Sequence, residues 1–157
     1  MISAAIIPLL STSLSLSRAG TANAAMLTEA RWALDTIARE TKYANRAQVL
    51  TTGMPSGALG NALILTYNIG AATNTVSYYY KADRVLYRSS NSAAERPLTN
   101  PNQAAFEAVM INGVNTLPIR FTFIDRELTI ECAVTSRNAT NQVQTERLDT
   151  TVYLLNQ

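Results

Sequence analysis

The side chains best placed for chemistry are three carboxylates and a thiol near the C-terminal third of the chain. Asp125 and Glu127 stand two apart at a turn, and Glu131 points out of the strand that follows, with Cys132 beside it. Hard oxygen donors at such spacing could hold a calcium ion, but the twelve-residue calcium loop with its regular donor positions is absent. Turn solubility is the expected role of these acids. Paired-carboxylate catalysis needs a second acid across a substrate, and nothing in the sequence supplies one. Cys132 is the one cysteine, so these residues can form no intrachain disulfide, and a cysteine zinc site is not expected. It falls at an apolar-facing position of a strand pattern, where a small core residue is the ordinary role. An intermolecular disulfide or a nucleophile is the alternative.

The chain has no His, which removes imidazole acid–base catalysis, His triads and His-ligated metals from these residues. Serines are plentiful, but no nucleophile elbow surrounds any of them and no imidazole can activate one. Gly57 and Gly60 precede a strand, and no Gly-Lys-Ser/Thr follows, so no phosphate loop is present. No catalytic, cofactor or metal residues are therefore assigned, and the chain is not expected to be an enzyme. With 13 basic and 11 acidic residues, the net charge of +2 predicts no nucleic-acid partner, and the arginines are scattered. The remaining feature with recognition potential is Tyr78, Tyr79 and Tyr80. Such a stripe is ordinarily structural, and otherwise a platform for stacking sugars or bases.

The length of 157 residues and an apolar fraction of 47% suit one globular domain. One long helix is expected from 2 to about 49. The run MISAAIIPLL at 1–10 is apolar but too short to span a bilayer, which takes about 20 residues. At 11–20, STSLSLSRAG is ambiguous: Leu14 and Leu16 alternate with Ser as in a strand, and Gly20 weakens a helix. From 22 onward the helical period is clear, with Leu27, Ala30, Leu34, Ile37, Thr41 and Ala44 on one stripe and Arg31, Asp35, Arg39, Lys42 and Arg46 on another. The charged stripe is expected to face solvent. Gly53, Pro55 and Gly57 mark the stop. Ala22-Asn23-Ala24 would fit a signal-peptidase site, yet no basic residue precedes the apolar run and Arg18 follows it.

The period then changes to two. Strands are expected over 63–69, 75–81, 84–88, 117–124, 128–134 and 148–155, with a tight hairpin through Ala82-Asp83. Turns are expected at 70–74, 110–114 and 125–127, a helical turn at 104–109, and polar loops at 89–103 and 137–146. The second loop holds Asn138-Ala139-Thr140, a glycosylation triplet that matters only in a suitable secretory host. The fold class is α+β: a long N-terminal helix on an antiparallel sheet, Leu27, Leu34 and Ile37 packing on Phe121, Phe123, Ile130 and Val134. Two parts are expected, an apolar segment at 1–20 and a globular domain at 21–157.

Several stretches in this order resemble type IV pilin-like proteins, most of all minor pilins and the J-type pseudopilins of type II secretion. ISAAIIP at 2–8 looks like the middle of the pilin N-terminal segment, and LDTIARETKYA at 34–44 like the helix end of this subgroup. TVSYYYKADRVLYR at 75–88 resembles its first hairpin, GV at 113–114 followed by IRFTF at 119–123 its next strand entry, and TTVYL at 150–154 its closing strand. The resemblance implies a pilin-like fold and a non-catalytic structural subunit of a pilus or pseudopilus. It implies assembly with other pilin or pseudopilin subunits through Ala4, Ile6, Ile7, Pro8, Leu9 and Leu10. It places the intact protein in the bacterial inner membrane before assembly and at the cell surface after it. One departure stands out. The family's basic leader, Gly-Phe processing site and early acidic residue are not in this sequence, so about half of the apolar segment is expected to lie before Met1. The alternative reading is a signal-cleaved, secreted β-rich domain that binds glycans or surfaces through the tyrosine hairpin.

Overall fold

The computed structural model describes residues 3–91, 93–100, 109–111, 114–116, 118–137 and 143–156. Their fold is α+β, with one helix and antiparallel sheets. Helix α1 runs unbroken from Ser3–Tyr43, 41 residues, or about 60 Å at 1.5 Å per residue. It includes the serine-rich stretch whose period was ambiguous: the alternation of Leu14 and Leu16 does not make a strand there.

A five-stranded meander follows: β1 (Arg46–Leu50), β2 (Ala58–Ile69), β3 (Ala72–Lys81), β4 (Leu86–Ser90) and β5 (Arg96–Pro97), in that order across the sheet. Strands β6 (Val109–Ile111) and β7 (Val114–Thr116) pair with each other, Ile111 opposite Val114. The second main sheet has the order β10-β9-β8, from β8 (Ile119–Ile124), β9 (Glu127–Arg137) and β10 (Val143–Tyr153).

The helix is shorter at its C-terminal end than its pattern predicts. It stops at Tyr43, and the residues expected to carry it to about 49 form β1, Arg46 pairing with Thr66 and Leu50 with Ala62. Ala44 and Ala47 are both buried. Their spacing of three continues the helical period, while Ala47 also fits the strand period of β1, so pattern alone cannot place the boundary. The loop expected at 89–103 contains the short β5, which pairs with Tyr87 and Arg88. The loop expected at 137–146 is shorter, because β9 reaches Arg137 and β10 starts at Val143. The helical turn expected at 104–109 lies outside the described residues except for Val109, which is in β6. The glycosylation triplet also lies outside them.

One core joins the helix to both main sheets. Ala30, Ala33, Leu34 and Ile37 of α1 cluster with Leu63, Leu65, Tyr78, Leu86, Phe121, Leu128, Ile130 and Val134. Met26, Leu27 and Phe123 pack on the margin. The helix and strand faces read from period are therefore the buried ones, and Arg31, Asp35, Arg39 and Lys42 are exposed. Where the sheets meet, Asn61 joins them. Its Nδ2 donates to the Phe121 carbonyl at 2.7 Å, and its Oδ1 accepts from the Phe121 N–H at 3.2 Å. A buried side-chain amide thus pairs with β8 as a neighbouring strand would. It sits at the register shift between Leu59 and Leu63 of β2, beside Gly60 at a φ of 84°. The bulge turns an amide side chain out of the β2–β3 ladder toward β8.

Candidate assembly helix and its anchor

Of the helix residues whose side chains are described, which are Gly20 and those from Ala24 onward, the first to reach the core are Met26 and Leu27, and the first fully buried one is Ala30. Gly20 and Ala24 are exposed. A Cβ at Gly20 would have nothing within 4 Å. The helix is continuous, so the stretch from Ser3 to Ala25 spans about 35 Å ahead of Met26. Ala4, Ile6, Ile7, Pro8, Leu9 and Leu10 all lie on this helical stretch. Their side chains are outside the described residues.

The C-terminal end of the helix is held by a set of contacts that sequence reading missed. The last four carbonyls of an α-helix have no partner within it. Here each has one. Tyr67 Oη donates to Glu40 O at 2.9 Å, and Ala44 N to Thr41 O at 3.0 Å. Leu155 N donates to Lys42 O at 3.1 Å, and Asn156 Nδ2 to Tyr43 O at 3.0 Å. Asn45 then starts the next element: its N–H donates to Thr66 O, its Oδ1 accepts from Asn68 N, and its Nδ2 donates to Asn156 O. The cap draws on β2 and on the C-terminal tail, more than a hundred residues away.

A charged clasp reinforces this end. Tyr78 Oη donates to Glu40 Oε2 at 2.5 Å, and Arg88 donates to the same carboxylate from Nε at 3.1 Å and Nη2 at 3.2 Å. The pair is half-buried and bridges α1 to β3 and β4. Burial first, and then the hydrogen bond to Glu40, push the Tyr78 hydroxyl well above the usual tyrosine range. Burial, followed by the Glu40 charge, does the same to Tyr67. The sequence carries tyrosines with polar tips and acids on the helix, but neither period nor spacing says which tyrosine meets which acid.

The tyrosine stripe is not a free platform. Alternation would bury one face, with Tyr78 and Tyr80, yet Tyr79 on the other face is also buried. Its ring stacks on Tyr87 at 6.2 Å between centroids, and Lys81 Nζ lies 5.0 Å from the Tyr87 centroid. Glu95 ties the group together, accepting from Tyr79 Oη at 2.7 Å and from Lys81 Nζ at 2.6 Å. Burial, then the bond to Glu95, push Tyr79 up to about 12. The hydrogen bond to Asp83 is the main cause that pushes Tyr87 up to about 12. Glu95 is held below the usual carboxylate range by the Lys81 hydrogen bond and then by that from Tyr79.

Cys132 is buried on the core face of β9, and that burial pushes its thiol up to about 12. A thiol so placed is protonated at neutral pH and is a poor nucleophile. Asp125 sits in the β8–β9 turn at a φ of 55°, and Glu127 accepts from Tyr153 Oη at 2.6 Å. Among the described residues no group of three or more His, Cys, Asp or Glu stands ready to hold a metal ion. No described helix is long and apolar enough to cross a membrane. In comparisons with known proteins, no family model matches the chain, and no curated protein and no solved structure matches it either.

Proposed function

We propose that this chain is a non-catalytic structural subunit of a type IV pilus or type II secretion pseudopilus, assembling through the front of its helix. The observation that carries this reading is one unbroken helix whose part from Met26 onward packs on its own sheets, with Gly20 and Ala24 exposed just ahead of it. A helical segment of about 23 residues is marginal in water without tertiary packing. It becomes stable when another helix or a lipid phase covers it. The rigid C-terminal cap suits such a role, because a helix that carries load between subunits must not slide on its own domain. The order of motifs from 34 to 154 supports the same reading, with a pilin-like fold as the finer description of the α+β architecture. Other pilin or pseudopilin subunits are then the partners, and the inner membrane holds the intact protein before assembly.

The test is the N-terminal peptide of the native protein, recovered from the cells that make it and analysed by mass spectrometry. The expected result is an N-methylated Phe upstream of Met1. A mature N-terminus at Ala25 overturns the proposal, because the front of the helix would then be absent from the working protein.

A further inference from the structure

We infer that the outer edge of β10 pairs with the same edge of a second copy of this chain, antiparallel about a two-fold axis through Leu148. The edge is bare. β10 ends the order β10-β9-β8, and among the described residues no strand lies on its far side. It is also long, 11 residues, against 5 for β1 and 2 for β5. The remaining edge of the two main sheets, β8, is closed at Phe121 by the amide of Asn61. An open edge of that length is a template for another strand.

The direction of the peptide groups follows from the register. Leu154 N donates to Arg126 O, one step beyond the pair Tyr153–Glu127. Ladder bonds recur at every second residue. Residues 146, 148, 150 and 152 therefore direct their peptide groups to β9, and 145, 147, 149, 151 and 153 direct theirs outward. A two-fold through Leu148 sets Arg147 opposite Asp149, Thr145 opposite Thr151, and Glu146 opposite Thr150. All the outward-directed groups then meet outward-directed groups, as a ladder requires. Arg147 and Asp149 are both exposed, and the symmetry makes their cross-strand contact twice. Moving the axis by one residue either way places Arg147 against Arg147 or Asp149 against Asp149. Edges guarded against pairing carry charge that repels a copy of itself, whereas opposite charges two residues apart are self-complementary at this one register. The occupant is thus a second copy, and the result is a continuous six-stranded sheet, β8-β9-β10 on each side of the axis.

Sedimentation velocity on the full chain over a concentration series tests this, with wild type beside Arg147→Asp, Asp149→Arg and the double reversal. The expected result is a dimer that each single reversal weakens about tenfold (1.4 kcal/mol) and the double reversal restores. Neither side chain enters the core, and circular dichroism checks that each variant folds. Thr151→Pro is a second probe, since it removes an outward N–H and leaves the β9 ladder intact. It should abolish the dimer. A wild-type chain that stays monomeric up to about 1 mM overturns the inference. So does a dimer that none of the four variants changes, which would place self-association elsewhere, for instance on the helix.

Discussion

Single residues set the sharpest expectations. Asn61 satisfies both peptide groups of Phe121 in a buried seam between sheets. Asn61→Ala leaves an N–H and a C=O unpaired there and should cost about 2–4 kcal/mol, read as the shift of the urea midpoint at unchanged slope. A loss under about 0.5 kcal/mol would mean that water replaces the amide freely. Thr41 is the opposite case. It is fully buried and its Oγ1 has no partner among the described residues. Thr41→Val keeps the shape and removes the unsatisfied hydroxyl, so it should stabilise the chain by about 1 kcal/mol. A destabilised Thr41→Val would show that the hydroxyl is satisfied after all. High pH gives a third expectation. Burial raises the Cys132 thiol and the Tyr78 hydroxyl above their ordinary values, which are about 8.5 and 10. A group whose folded pKa is raised contributes in full below its unfolded pKa and loses that contribution as pH rises through the folded one. The melting temperature should therefore fall progressively from about pH 9 upward. Cys132→Ala combined with Tyr78→Phe should flatten the fall, and an equally steep fall in the double variant would sink this account.

At the scale of elements, the helix is two materials on one axis. From Met26 to Thr41 it is held by core packing; at its end it is held by partners from β2 and the tail. Removing residues 155–157 takes away the donors to Lys42 O and Tyr43 O. The truncated chain should lose about 1–3 kcal/mol, and hydrogen exchange should rise first in the last helical turn. Protection in that turn that does not change would show that the cap adds nothing. Toward the front, Gly20 is helical and exposed with no neighbour within 4 Å of its Cβ position. Gly20→Ala should therefore strengthen the helix there by about 1 kcal/mol, seen as slower amide exchange around residue 20 with the core unaffected.

At the scale of the whole molecule, the two proposals use separate surfaces for association. The first is the front of α1, the proposed assembly segment, and the second is the edge of β10, the proposed dimer seam. They impose different symmetries: helices staggered along an axis make an open array, whereas a β10 two-fold closes on itself. A subunit that used both would be a dimer of the sheet domain before it entered any larger assembly. The variants of Arg147 and Asp149 separate the two, because they leave the helix untouched.

Period alone determined much of this fold. The stripe Ala30, Leu34 and Ile37 and the strand faces Leu63/Leu65 and Leu128/Ile130/Cys132/Val134 are buried as their spacing requires, since burial selects one face of a helix and one face of a half-covered strand. The helix across the serine-rich stretch was legible from its flanks. The helix end was not, because its carbonyls are closed by Tyr67, Leu155 and Asn156, and a cap made of distant residues leaves no local mark. Nor was the burial of Tyr79, which depends on Tyr87 from β4 and Glu95 from the segment before β5 converging on it and on Lys81 of its own strand. The sequence by itself determined which helix stripe and strand faces go inside; the tertiary structure decided the burial of Tyr79, where the helix stops, which acid meets which tyrosine, and which strand edge stays open. Those depend on pairing between segments far apart in the chain, and spacing within a segment carries no information about it.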